Sequence, residues 1–186
     1  MSLFEFIMVL SSIIVGMSLT EILSGMADSF INKNKRKFSW IHFLLSIVVL
    51  MAIVQIWWEQ WDFNSINQWT LSDLFFLMIP LILVFLIARI MNPGREFSGS
   101  MEDYYFKNAS KIWILVGLLV LLATTSRTFI LGSKLLVVDN LSSLPTLFIA
   151  LFLGISPNRL LHTILISALL ATILLDVLLI NFLISI

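Results

Sequence analysis

Six apolar runs, with nearly all of the charge confined between them, decide which solvent this chain folds in. They cover residues 3–23, 40–58, 71–90, 112–131 and 160–180, with a shorter one at 144–155. The hydrocarbon core of a bilayer is about 30 Å thick, and a helix rising about 1.5 Å per residue crosses it in ~20 residues. A water-soluble domain must offer water a polar surface, and roughly a quarter of its residues are charged. Here the charged fraction is 12%, with 60% hydrophobic residues and a mean hydropathy of +1.05. The expected fold class is all-α: a polytopic transmembrane helical bundle of about six membrane-spanning helices, the fifth short or re-entrant.

The expected helices run over approximately 3–31, 40–61, 71–91, 111–131, 141–155 and 159–182, in a single integral membrane domain of residues 1–186. The stretch 92–110 is expected to be a cytoplasmic loop. Asn92-Pro93-Gly94 stops the third helix, and residues 102–107 read as a short amphipathic helix at the interface. The first apolar run lacks a basic leader and a small-residue cleavage pattern, so it reads as a retained helix rather than a signal peptide. A 3+3 internal repeat has no residue-by-residue match.

Charge placement sets the expected orientation. Nine of the eleven Lys and Arg fall at one end: Lys33, Lys35, Arg36 and Lys37; Arg89, Arg95, Lys107 and Lys111; and Arg159. The other end has only Arg127 and Lys134, with Glu59, Asp62 and Asp73 around the second loop. Cytoplasmic loops collect Lys and Arg. The expectation is a bacterial inner-membrane, multi-pass protein with the basic end inside and both termini outside, in the periplasm. Trp57, Trp58, Trp61 and Trp69 fit an outer aromatic belt, and Trp40, Tyr104, Tyr105 and Trp113 an inner one.

A charge at the centre of a bilayer costs ~2.5–3.5 kcal/mol on insertion scales, so ionisable groups at membrane depth are the candidate functional residues. Asp176 lies 16 residues beyond Leu160, about 24 Å along the last helix. That puts it level with Glu5 and Arg127, with Glu59 close by. Arg127 reads either as the centre of a partly buried ion-pair cluster or as a side chain snorkelling to headgroups. Asp176, short and set among Leu and Ile, reads as inward-facing, and either paired or protonated. A second set lies near the inner face: Glu21, Asp28, Arg89, His42 and His162. Glu21 and Asp28 share a helix face with Ser11, Ser18 and Gly25, while Ser12, Gly16 and Thr20 mark the opposite face. Small and polar residues on two faces predict a central first helix packed on both sides. The patch Thr124-Thr125-Ser126-Arg127-Thr128 reads as hydroxyls bonding carbonyls one turn back, or as the lining of a hydrated path.

Several chemistries lack their parts. With no Cys there is no disulfide, thiolate nucleophile, Cys-bound zinc or iron–sulfur cluster. Zero net charge provides no field to gather nucleic acid. HExxH, GxSxG and Walker sequences do not occur. His42 and His162 at similar depth meet the minimum geometry of bis-His haem ligation, but nothing else supports a haem, and a hydrogen-bonded His is the preferred reading. No enzyme activity, cofactor or metal is expected.

The sequence also resembles a group of small bacterial polytopic inner-membrane proteins. The resemblance rests on Phe4-Glu5-Phe6 before a Ser/Gly-rich first helix ending Leu19-Thr20-Glu21-Ile22-Leu23, on Trp57-Trp58-x-x-Trp61, on Asn92-Pro93 leading to Tyr105-Phe106, and on Asn158-Arg159-x-x-His162. It spreads over most of the chain in short motifs. It implies a bacterial inner-membrane setting and carries no activity and no catalytic residue.

Two functional classes remain. One is a non-enzymatic sensor, immunity factor or partner subunit whose intramembrane charges fix helix register or recognise another membrane protein. The other is a small-ion or proton channel or transporter, acting as a homo-oligomer, with Asp176, Arg127 and Glu21 on its path.

Overall fold

The computed structural model describes residues 2–31, 35–66, 68–94, 96–132 and 143–184. The order of elements is α1 (Leu3–Ile31), β1 (Arg36–Lys37), α2 (Trp40–Glu59), a 3₁₀ segment (Gln60–Ser65), α3 (Leu71–Met91), β2 (Gly99–Ser100), α4 (Met101–Leu131), α5 (Leu144–Ile155) and α6 (Arg159–Ile184). The fold is an all-α helical bundle with five helices long and apolar enough to cross a membrane; α5, with 12 residues, is the short one.

Polar residues at the helix starts explain the boundaries. Thr70 and Asp73 form a reciprocal capping box on α3, and Ser39 Oγ accepts from the His42 amide at the start of α2. Asn158 Oδ1 accepts from the amides of Leu160 and Leu161 at the start of α6. Gly132, at φ 62°, closes α4 in the left-handed conformation that glycine tolerates best. The start of α4 departs from expectation. Ser100 Oγ accepts from the Asp103 amide, Glu102 and Asp103 lie favourably on the helix dipole, and Tyr105 and Ala109 are buried. Residues 101–110 are therefore the first turns of one continuous 31-residue helix, not a separate interfacial helix in a loop. α2 ends at Glu59, two residues before its expected end, and the 3₁₀ segment takes over at Gln60.

Helices α2 and α3 are central. α3 packs against α4 and α1, α2 packs against α6 and α1, and α5 lies along α4. The larger core joins Ile22, Leu45, Ile53, Ile87, Met91, Trp113, Leu153 and Ile166. A smaller one near the other end joins Phe4, Ile7, Phe63, Leu77, Met78 and Leu81. The first and third connections meet where β1 pairs in parallel with β2.

The first helix is not packed on two sides. Ser11, Ser18, Gly25 and Ser29 face the bundle, whereas Ser12, Gly16 and Thr20 are exposed. The packed side is determined at Gly25, where an added Cβ would fall inside the Asn92 side chain. Only a residue without a side chain lets α3 approach so closely.

The direction of α6 follows from Arg159. Its guanidinium pairs with Glu102 at 3.0 Å and Asp103 at 3.7 Å, so α6 begins at the same end of the bundle as α4. α5 runs back along α4, from Ser143 Oγ, 3.3 Å from Thr124 Oγ1, to Gly154 beside Trp113. The chain thus returns to the basic end before α6 starts. The expected residues 141 and 142 of the fifth helix lie outside the described residues.

Candidate functional site: polar clusters at two depths

At the basic end, four residues from α4, α6 and the turn between α5 and α6 form a closed chain of hydrogen bonds. Trp113 Nε1–H donates to Tyr105 Oη at 2.8 Å, Tyr105 O–H donates to His162 Nδ1, and His162 Nε2–H donates to the Ser156 carbonyl at 2.8 Å. Tyr105, Trp113 and His162 are fully buried. The carbonyl can only accept, so it fixes the proton on Nε2 and leaves Nδ1 to accept from the phenol. Tyr105 and Trp113, expected in the inner aromatic belt, are core residues instead: their polar tips find partners inside, so nothing drives them to the interface. Arg159 closes the outside of this cluster, its guanidinium carbon 5.7 Å from the centre of the Phe106 ring.

Beside it, α1 and α3 are held by charge and amide contacts. Arg89 Nη1 donates to Glu21 Oε2 at 3.2 Å. Asn92 Nδ2 donates to the Glu21 carbonyl at 3.0 Å and the Ala88 carbonyl at 3.1 Å. His42 Nε2 lies 2.9 Å from the Met91 carbonyl. Arg36 is buried; its Nη2 donates to the Gly94 carbonyl at 2.9 Å and pairs with Asp28 at 3.3 Å. The first and third connections are therefore tied to the bundle by side chains as well as by the two-residue bridge.

At the opposite end, Arg127 Nη2 donates to Asp62 Oδ2 at 2.6 Å, and its Nη1 lies 3.9 Å from Glu59 Oε2. Glu59 also accepts from Gln55 Nε2 at 3.1 Å. The cation thus sits between two acids at the end of α2 and in the 3₁₀ segment. The expected carboxylates, Glu5 and Asp176, are not the ones within pairing distance. Glu5 accepts from the Ser2 amide while its own amide donates to Ser2 Oγ, a capping box that starts α1. Asp176 is close enough to Glu59 to act on it as a like charge, yet its side chain is exposed, among exposed Leu174, Leu175 and Leu178. No cation or hydrogen-bond donor meets Asp176 among the described residues.

Two of the four hydroxyls in the α4 patch bond back to carbonyls: Thr125 to Leu121 at 2.8 Å and Thr128 to Thr124 at 2.9 Å. Ser126 Oγ, Gln60 Oε1, Asn92 Oδ1, Trp69 Nε1 and the Nε and Nη1 of Arg36 are buried without a hydrogen-bond partner. Among the described residues no three of His, Asp or Glu come together as a metal site.

Of the candidate residues, then, Glu21 with Arg89 and Arg127 with Asp62 and Glu59 are brought together, and His162 lies inside the aromatic network. Sequence reasoning missed Asp62, Tyr105, Trp113, Asn92 and Arg36 as partners. A signal existed for Tyr105 and Trp113: eight residues apart, they lie near one helix face. For Arg36, no local pattern distinguishes it from exposed Lys35 and Lys37 beside it.

Comparison of the chain with protein-family models, with curated proteins and with solved structures finds no match.

Proposed function

We propose that this is a non-catalytic integral inner-membrane subunit, of the sensor, immunity or partner class, that recognises another transmembrane helix through the exposed face of α6. The observation that carries this reading is Asp176. Its side chain is exposed among apolar neighbours on a helix long and apolar enough to span a bilayer. A carboxylate left against lipid is costly, and its short side chain reaches headgroups less readily than Lys or Arg. A donor on a neighbouring transmembrane helix removes that cost. The other charges at depth are spoken for: Glu21 pairs with Arg89, and Arg127 with Asp62 and Glu59. A second feature points the same way. Gly16, Thr20 and Ser24 form an exposed stripe of small residues on α1, the pattern that lets transmembrane helices approach closely. The expected orientation, with the basic end in the cytoplasm, puts Asp176 in the periplasmic half of the bilayer.

The test is a photocrosslinking amino acid at Leu178 in cells, read by mass spectrometry with and without Asp176→Leu. A discrete protein adduct that Asp176→Leu abolishes supports the reading; an adduct with a second copy makes the partner a homo-oligomer. Lipid adducts alone end it. A cation flux in liposomes that Asp176→Asn abolishes would instead favour the channel reading, with Asp176, Arg127 and Glu21 on its path.

A further inference from the structure

The C-terminal end of α1, strand β1 and the start of α2 enclose a cleft of about 470 Å³ lined by Ser29, Phe30, Arg36, Lys37, Phe38 and Trp40. That volume falls in the range of small-molecule sites. Its two sides differ in chemistry. One is aromatic: Phe30, Phe38, Trp40 and Phe43 pack edge to face or tilted, with centroids 5.0–6.3 Å apart, and Phe30, Phe38 and Trp40 remain largely exposed. The other is cationic: Lys37 is exposed, and Arg36 is 1% exposed. Arg36 spends only Nη2 on Gly94 and Asp28, so Nε–H and the Nη1 donors have no acceptor. Buried guanidinium donors ordinarily find one, because leaving them unmet costs free energy.

We infer that this cleft is a binding site for one anionic phospholipid of the leaflet at the basic end. The phosphodiester sits against Lys37, in front of the buried Arg36, and the first acyl methylenes lie against Phe30 and Trp40. Position supports this occupant. Phe30 lies one residue before the end of α1 and Trp40 is the first residue of α2, so the cleft opens where spanning helices leave the hydrocarbon and headgroups begin. Charge selects among lipids. Asp28 pairs with Arg36, and Lys35 and Lys37 are exposed, so an anionic headgroup is attracted, whereas a zwitterionic one brings its own cation beside Lys37. The phosphate meets exposed Lys37, and the guanidinium of Arg36, buried in the cleft wall, adds its positive charge.

The experiment is native mass spectrometry of the full chain in detergent, titrated with phosphatidylglycerol or phosphatidylcholine. The expected result is a single phosphatidylglycerol adduct that phosphatidylcholine does not form at the same concentration. Lys37→Glu weakens it about tenfold or more, while Lys111→Glu, an exposed cation at the same end, leaves it unchanged. Trp40→Ala, which spares every charge, also weakens it, and circular dichroism of each variant verifies the fold. Equal binding of the two lipids overturns the site, as does an equal loss in Lys37→Glu and Lys111→Glu, which marks general attraction to the basic end. Displacement of the adduct by millimolar inorganic phosphate also overturns it, since a free anion would then suffice.

Discussion

Tyr105 and His162, 57 residues apart, share a hydrogen bond inside the basic end of the bundle, with both rings fully buried. Because Tyr105 Oη also accepts from Trp113 and His162 also donates to Ser156, one phenol links α4 to the turn that starts α6. This arrangement makes Tyr105 the residue whose hydroxyl matters most to how the last two helices dock.

Tyr105→Phe removes that hydroxyl and leaves Trp113 Nε1 and His162 Nδ1 buried without partners. The expected cost is about 1–3 kcal/mol, because buried polar groups stripped of partners keep their full desolvation penalty. Tyr104→Phe loses a single bond to the Ile90 carbonyl at a half-buried site and should cost less. Thermal unfolding of the two variants in detergent compares them directly; an equal shift would count against the network.

Gly25→Ala should destabilise the protein by several kcal/mol or separate α1 from α3, since the new methyl group occupies the space of Asn92. Gly16→Ala, on the exposed face with nothing within 4 Å, should leave the unfolding temperature nearly unchanged. Measured together, they tell the packed face of α1 from the exposed one.

The pairing of Arg127 with Asp62 can be tested by a double-mutant cycle of Arg127→Ala and Asp62→Ala. Both groups are partly exposed, Asp62 to 48%, so the coupling expected is only ~1 kcal/mol. A coupling of the same size between Arg127 and Asp176 would contradict the geometry described above.

Orientation is open to a clean assay because the chain has no cysteine. Lys35→Cys should react with an impermeant maleimide only after the cells are permeabilised, and Asn64→Cys should react in intact cells. The reverse pattern would invert the proposed topology.

Composition and spacing alone determined the solvent, the helical class and the ends of the bundle that carry positive charge. Lipid imposes those features on any chain with runs this long and this apolar: the backbone must bond to itself, and cations are left at the margins. The starts of α2 at residue 40 and of α3 at residue 71 were legible too, because each apolar run begins there. What depended on distance along the chain was not. Only the tertiary structure decided that Arg127 meets Asp62 rather than Asp176, that Arg36 is buried while Lys35 and Lys37 beside it are exposed, and that one of the two small-residue faces of α1 packs. Depth can be counted along a helix, but azimuth cannot when apolar residues cover every side, since lipid and a neighbouring helix reward the same residues. Helix rotation then falls to a few close fits such as Gly25 against Asn92, and those arise between segments far apart in sequence.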